Sequence, residues 1–188
     1  MSSAGAEKQI NVLVPVSKGS EEIETVTIVD TLVRGGATVT LAAVCPNDLE
    51  MVLSRGVRLV ADCKMSECVS QKWDMIVCPG GMPGAEYLRD CPHLTALLQE
   101  QVKAGGYVAA ICAAVVLAHH GLLKGPATCY PAPKFTALLS HYSTDAVVVD
   151  GNVVTSQGPG TSLAFSLKLV ELLFGQEKAA AVQQEMIA

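Results

Sequence analysis

Aromatic side chains make up only 4% of this 188-residue chain, with a single tryptophan, and charged side chains only 16%. A core built from rings is excluded. With 50% hydrophobic residues, the interior must come from Val, Ala, Leu and Ile, the composition of a buried parallel sheet. Basic runs are missing too: the formal charge is −5, and no Lys or Arg cluster offers nucleic acid a field. No apolar stretch is long enough to span a bilayer. Met1 to Gln9 lack both the basic start and the apolar run of a secretory signal. Neither nucleic acid nor membrane is therefore expected as a partner. Residues 1–8 read as a flexible N-terminus on one domain spanning 1–188.

Metal-binding spacing is also absent. Among seven cysteines no two stand as C-x-x-C, and the four histidines do not complete a zinc pattern. The odd cysteine count, scattered along the chain, is no disulfide framework and suits a reducing cytoplasm. Neither metal nor cofactor is expected.

What is present is an alternation of short apolar runs and helical periods. Ile10 to Val16 is a first strand. Ser20 caps a helix whose first turns carry Glu21, Glu22 and Glu24 and whose buried face is Ile23, Val26, Ile28, Val29, Leu32 and Val33, ending at Gly35-Gly36. Thr38 to Val44 completes a β-α-β unit, Met51 to Ala61 reads as a small hairpin, and Asp74 to Cys78 is a third central strand stopped by Pro79-Gly80-Gly81. Helix fills Gly84 to Ala104 with a break at Cys91-Pro92. Tyr107 to Ile111 is a strand that delivers Cys112, followed by a helix from Ala113 to His120. Ala127 to Tyr130 reads as a further strand, Asp150-Gly151 as a hairpin turn between two Val-rich strands, and Leu163 to Phe174 as a helix. This order predicts an α/β fold: a doubly wound, mostly parallel, flavodoxin-like sheet sandwiched by helices, with a late antiparallel hairpin.

In such a sheet, reactive groups collect at the carboxyl ends of the strands. Cys112 ends a strand and opens a helix, where backbone N–H groups and the helix dipole favour a thiolate; the alternative is an inert core cysteine. Gly80 and Gly81 allow close backbone approach, and their amides with that of Ala113 could hold an oxyanion, or they make only a tight turn. Glu24 falls toward the helix's inner edge while Glu21 and Glu22 can face water. Buried beside a cysteine it would stay protonated and shuttle protons; otherwise it is an ordinary first-turn dipole partner. His119 and His120 lie two turns beyond Cys112, about 10 Å or more along the axis, and would equally serve as C-terminal dipole partners. Cys78 and Cys129 read as core; Cys45, Cys63, Cys68 and Cys91 lie near loop residues and read as exposed.

Four segments carry a resemblance. They are Val14-Pro15-Val16-Ser17-Lys18-Gly19-Ser20-Glu21-Glu22-Ile23-Glu24-Thr25-Val26, Val77-Cys78-Pro79-Gly80-Gly81, Ala109-Ala110-Ile111-Cys112-Ala113-Ala114, and Thr155-Ser156-Gln157-Gly158-Pro159-Gly160-Thr161. In this combination and order the chain resembles the ThiJ/PfpI superfamily, in the branch of the parkinsonism-associated protein deglycases and redox chaperones. The resemblance implies a homodimer, Cys112 as reactive thiolate, Glu24 as its protonated partner, and an anion pocket at Gly81 and Ala113. It also implies that Arg55 reaches the neighbouring subunit's site, with Tyr130 and Pro159 at the substrate pocket or subunit interface. Two departures stand out. Tyr130 takes a place where several relatives have histidine, and Ala114 runs straight into Val115, where the family usually inserts Pro and one more residue. At about 100° per residue, losing two residues turns the following helix by roughly 200°.

The chemistry expected is that of a cofactor-independent cysteine enzyme of the glyoxalase III or protein deglycase type. It would act on methylglyoxal, glyoxal or their early protein adducts through a hemithioacetal at Cys112, with Glu24 moving protons. The alternative is an oxidative-stress sensor or redox chaperone with Cys112 oxidised to sulfinate. A Cys-dependent peptidase is third, for want of a placed base.

Overall fold

The computed structural model describes residues 9–44 and 48–188. The expected flexible N-terminus and Cys45 lie outside the described residues. Seven strands form one sheet in the order β5-β2-β1-β6-β7-β9-β8: β1 (Asn11–Val16), β2 (Thr38–Ala43), β5 (Cys63–Lys64), β6 (Met75–Cys78), β7 (Tyr107–Ile111), β8 (Val147–Asp150) and β9 (Val153–Ser156). All neighbours are parallel except β8 and β9. The expected doubly wound sheet with its late hairpin is what the chain forms.

Period-two alternation explains why both faces are covered. Val12, Val14 and Val16 of β1, Met75 and Val77 of β6, and Ala109 and Ile111 of β7 join one apolar cluster. Leu13, Ile76, Cys78, Val108 and Ala110 point the other way into a second. The first cluster is covered by α1 (Glu22–Gly35), α6 (Ser162–Phe174) and α7 (Gln176–Glu185), the second by α2 (Gly84–Arg89), α3 (Pro92–Lys103) and α4 (Val115–His119). A separate antiparallel pair, β3 (Glu50–Val52) and β4 (Arg58–Val60), is the expected small hairpin.

Several local expectations are corrected. The N-cap of α1 is Glu21, whose carboxylate accepts from Glu24 N–H at 2.8 Å, while Ser20 Oγ accepts from Ser17 N–H instead. Glu21 and Glu22 do not face water. Both are buried, because this end of α1 packs beneath the β3–β4 hairpin, where Glu22 accepts from Ser54 Oγ and from the amides of Arg55 and Val57. Burial pushes the Glu22 carboxyl up, but these donors hold it below its ordinary range.

The buried stripe of α1 is accordingly Glu24, Thr25, Ile28, Thr31 and Leu32, and it leaves Ile23, Val26 and Val33 more than half exposed. Ala127 to Tyr130 is no sheet strand; it makes one isolated bridge, Ala127 to Tyr142. The β8–β9 turn is Gly151-Asn152, one residue later than expected, since Asp150 already pairs with Val153. Cys68 and Cys91 are buried, and only Cys63 of the described loop cysteines is partly exposed. Among the described residues, no helix is long and apolar enough to cross a membrane and no group of three or more His, Cys, Asp or Glu is arranged to hold a metal ion.

Candidate functional site

From β1 the chain winds outward through β2 to one edge of the sheet, then returns through β6, β7 and β9 to the other. The carboxyl ends of β1, β6 and β7 therefore meet at the switch point, where such sheets open a crevice. Cys112 leaves β7 with φ 61°. This left-handed conformation costs a residue with a Cβ about 1–3 kcal/mol. Ala113 N–H donates to Ile111 O, closing a three-residue turn centred on Cys112, a rare and strained form. Chain on both sides holds it there: Cys112 N–H donates to Ser156 O at 2.9 Å, and Cys112 C=O accepts from Tyr130 N–H at 3.1 Å.

The helix that follows is shorter and later than expected. It begins at Val115 and has five residues, so Ala113 and Ala114 belong to the turn. Little macrodipole is available to a sulfur three residues upstream. The expected bias toward thiolate is not what the surroundings produce: burial pushes the Cys112 thiol up to about 12, with the charge of Glu24 adding to the rise and the Gly81 amide opposing it.

Glu24 lies beneath Cys112, fully buried. Its Oε2 accepts from Gly80 N–H at 2.7 Å, and its Oε1 has no partner among the described residues. Burial pushes the Glu24 carboxyl up to about 8; the Gly80 amide opposes this, the charge of Glu21 adds to it, and the Cys112 thiol opposes it as a donor. Near neutrality Glu24 thus mostly retains its proton, and in that state its charge no longer resists ionisation of the thiol.

The three amides expected to form an anion pocket separate by role. That of Gly80 is directed at Glu24, that of Ala113 closes the elbow turn, and that of Gly81 alone faces the sulfur. Gly80 must be glycine, since a Cβ would stand 2.6 Å from Cys112 Cβ and 2.9 Å from Glu24 Oε2.

Above the sulfur opens a cavity of about 240 Å³ whose lining brings together Arg55, Gly81, Cys112, Ala113, Tyr130 and Pro159. Arg55 lines the cavity of its own chain, carried there by the β3–β4 hairpin that Glu22 anchors. No histidine lines this cavity among the described residues: His120 Nε2 contacts Arg89 O and Thr95 Oγ1, and His119 faces elsewhere. The reading from sequence missed Glu21, Met82, Val115 and Phe135 in the lining. Only Glu21 offered a clue, in its spacing of three from Glu24. A second cavity of about 220 Å³ shares Met82, Ala85, Val115 and Phe135 with the first and ends among Glu86, Arg89, His119 and Lys134.

A doubly wound α/β protein with a cysteine in a strained turn after a central strand, set over a buried carboxyl, is a thiol-elbow protein in architecture. The chain matches the model of the DJ-1/PfpI family over residues 10–172 and belongs to that family. It is 45% identical over 182 residues to protein DJ-1 homolog B of Arabidopsis thaliana, covering 94% of this chain but 41% of that protein, so it spans about two fifths of that relative's length. Glutathione-independent glyoxalase DJR-1.2 of Caenorhabditis elegans is 39% identical, with 92% of each chain covered. The structure of oxidised Toxoplasma gondii DJ-1 superposes with a TM-score of 0.90 at 43% identity, covering 95% of this chain and 98% of that one.

Proposed function

We propose that the protein is a cofactor-independent thiol enzyme acting on 2-oxoaldehydes such as methylglyoxal, or on their early adducts with protein amines and thiols. One observation carries this reading: a fully buried carboxyl whose pKa is raised to about 8 lies directly under a strained, cavity-facing cysteine. A group poised near the working pH can both take and give a proton. Cys112 Sγ adds to the aldehyde carbon, and the thiol proton passes to the carbonyl oxygen, giving a hemithioacetal. Glu24 as carboxylate removes the proton from that carbon and returns it to the adjacent one, while the hydroxyl proton passes to the neighbouring oxygen, leaving a thioester of the 2-hydroxy acid. Water then cleaves the thioester, releasing the acid and restoring the thiol. Gly81 N–H, which faces the sulfur, would donate to the developing oxyanion.

The second cavity favours adducts over the free aldehyde. Methylglyoxal has five heavy atoms, whereas the two adjoining cavities, which share Met82, Ala85, Val115 and Phe135 in their walls, measure about 220 and 240 Å³, leaving room for the side chain or peptide that bears an adduct. The test is turnover of methylglyoxal and of its adduct with a cysteine or lysine peptide. Cys112→Ser is expected to abolish lactate formation, and Glu24→Gln to reduce it at least 100-fold, a magnitude at the low end for a general acid–base group. Undiminished turnover in Cys112→Ser would refute the proposal.

A second reading is favoured by the buried, unpartnered Glu24 Oε1 and by the Gly81 amide facing the sulfur, which together could hold an oxidised Cys112. Intact-mass and peptide mapping after mild peroxide should then find two oxygens added preferentially at Cys112; indiscriminate oxidation would argue against it.

The chain is further read as a homodimer. Ile23, Val26 and Val33 on α1 and Val52 and Val60 on the hairpin are exposed to half or more, and Val26, Val29, Val33, Leu41 and Leu59 line one shallow groove. An apolar face of this kind fits a second copy of the chain.

A further inference from the structure

Away from the cavity, two cysteines with no part in the chemistry above stand together at the outer edge of the sheet. Cys63 belongs to β5, the edge strand, whose pairing sets it opposite Ala42 of β2. Cys68 follows a single 3-10 turn, Met65–Glu67, and its Sγ lies 3.5 Å from Cys63 Sγ. We infer that Cys63 and Cys68 form a second oxidisable site, a dithiol that a hydroperoxide converts to an intramolecular disulfide.

The geometry is held rather than incidental. Lys64 N–H donates to Glu67 Oε1 at 3.0 Å, Cys68 N–H to Met65 O at 3.1 Å, and Trp73 Nε1–H to Cys68 O at 3.4 Å. These bonds fix the short loop from both ends with its sulfurs facing. A disulfide needs about 2.05 Å between sulfurs, so closure requires roughly 1.5 Å of approach, within the reach of side-chain rotation.

The two thiols have different surroundings. Cys63 is partly exposed, whereas Cys68 is buried. Burial, reinforced by Cys63 and Glu67, pushes the Cys68 thiol up to about 12. Cys63 therefore meets the oxidant and Cys68 resolves it. The Cys63 thiolate attacks one peroxide oxygen, the O–O bond breaks, and the other oxygen leaves as water once protonated, giving a sulfenic acid. Cys68 sulfur then attacks the sulfenic sulfur, forming the S–S bond and expelling hydroxide, which takes the Cys68 proton as a second water. Two thiols are oxidised by two electrons and one peroxide is reduced to two waters.

Lys64 lies between the two cysteines, so after denaturation trypsin separates residues 59–64 from residues 65–72 in the reduced chain but leaves them joined when the disulfide has formed. The chain is treated with stoichiometric hydrogen peroxide, its remaining thiols are blocked with iodoacetamide, and the digest is mapped by mass spectrometry. The linked peptide, two hydrogens lighter than the sum of its parts, is expected to appear in the wild type and in Cys112→Ser alike, and to vanish after dithiothreitol. Trp73, the single tryptophan, reports independently: its emission should fall on oxidation and recover on reduction. Cys63→Ser should abolish both responses, and Cys68→Ser, given two or more equivalents of peroxide, should let Cys63 proceed to sulfinic acid. Recovery of both cysteines from the peroxide-treated wild type only as separate peptides, alkylated or sulfinylated, would overturn the inference, with no variant needed.

Discussion

Gly80 has no room for a methyl group, because Cys112 Cβ, Cys112 Sγ and Glu24 Oε2 all lie within 3.0 Å of where one would stand. Gly80→Ala should therefore push thiol and carboxyl apart while leaving the sheet intact. Displacement of about 1 Å at a reacting centre costs roughly 100-fold. The expected result is a loss of that size in kcat/KM with an unchanged circular dichroism spectrum. Glu24 leaves a mark on stability as well. Burial pushes its carboxyl up to about 8 in the fold from an ordinary 4.5, so the folded chain binds the extra proton between those pH values. Its contribution is fully present below pH 4.5 and is lost as pH rises through 8. Urea titrations from pH 5 to 8 should show stability declining with pH, and Glu24→Gln should flatten that decline. A slope unchanged in the variant would mean that Glu24 is not the group responsible.

Among the elements, legibility followed how directly the local pattern determines the surroundings. β1, β6 and β7 are runs of Val, Ile and Ala stopped by Lys18-Gly19, Pro79-Gly80 or the elbow itself, so strand, break and edge could all be read. Cys112, Glu24 and Gly80 could be placed at one edge on that basis. The acidic start of α1 misled, because whether Glu21 and Glu22 meet water depends on the β3–β4 hairpin folding over them, a long-range contact that helix periodicity does not encode. The same dependence shifted the buried stripe away from Ile23, Val26 and Val33. Ala127 to Tyr130 has strand-like composition but finds only a single bridge. Helix α7, polar and rich in Ala, Gln and Glu, offered no strong apolar face and went unread. The pairing of Cys63 with Cys68 likewise depends on a 3-10 turn that spacing alone does not reveal.

Across the whole molecule, two clusters on opposite faces of one sheet account for the core. The outer side of α1 and the hairpin remain apolar and uncovered. If that face joins two copies, Val60→Asp, at a side chain 65% exposed, should shift the chain from dimer to monomer in sedimentation velocity without lowering the monomer's helix content. A wild type that sediments as a monomer at micromolar concentration would remove the basis for the dimer. Because Arg55 already lines its own chain's cavity, the monomeric variant should retain much of its turnover.

The backbone of Cys112 is clamped between Ser156 on β9 and Tyr130 in the loop before α5 (Pro133–Thr136), and α4 takes no part in the clamp. Its position is set by the sheet on one side and by that loop on the other. The segment after Ala114 lies outside the clamp and bears, through Val115, on the cavity wall rather than on the sulfur. A substitution at Val115 is then expected to reshape the cavity wall while leaving the reactive atom where it is.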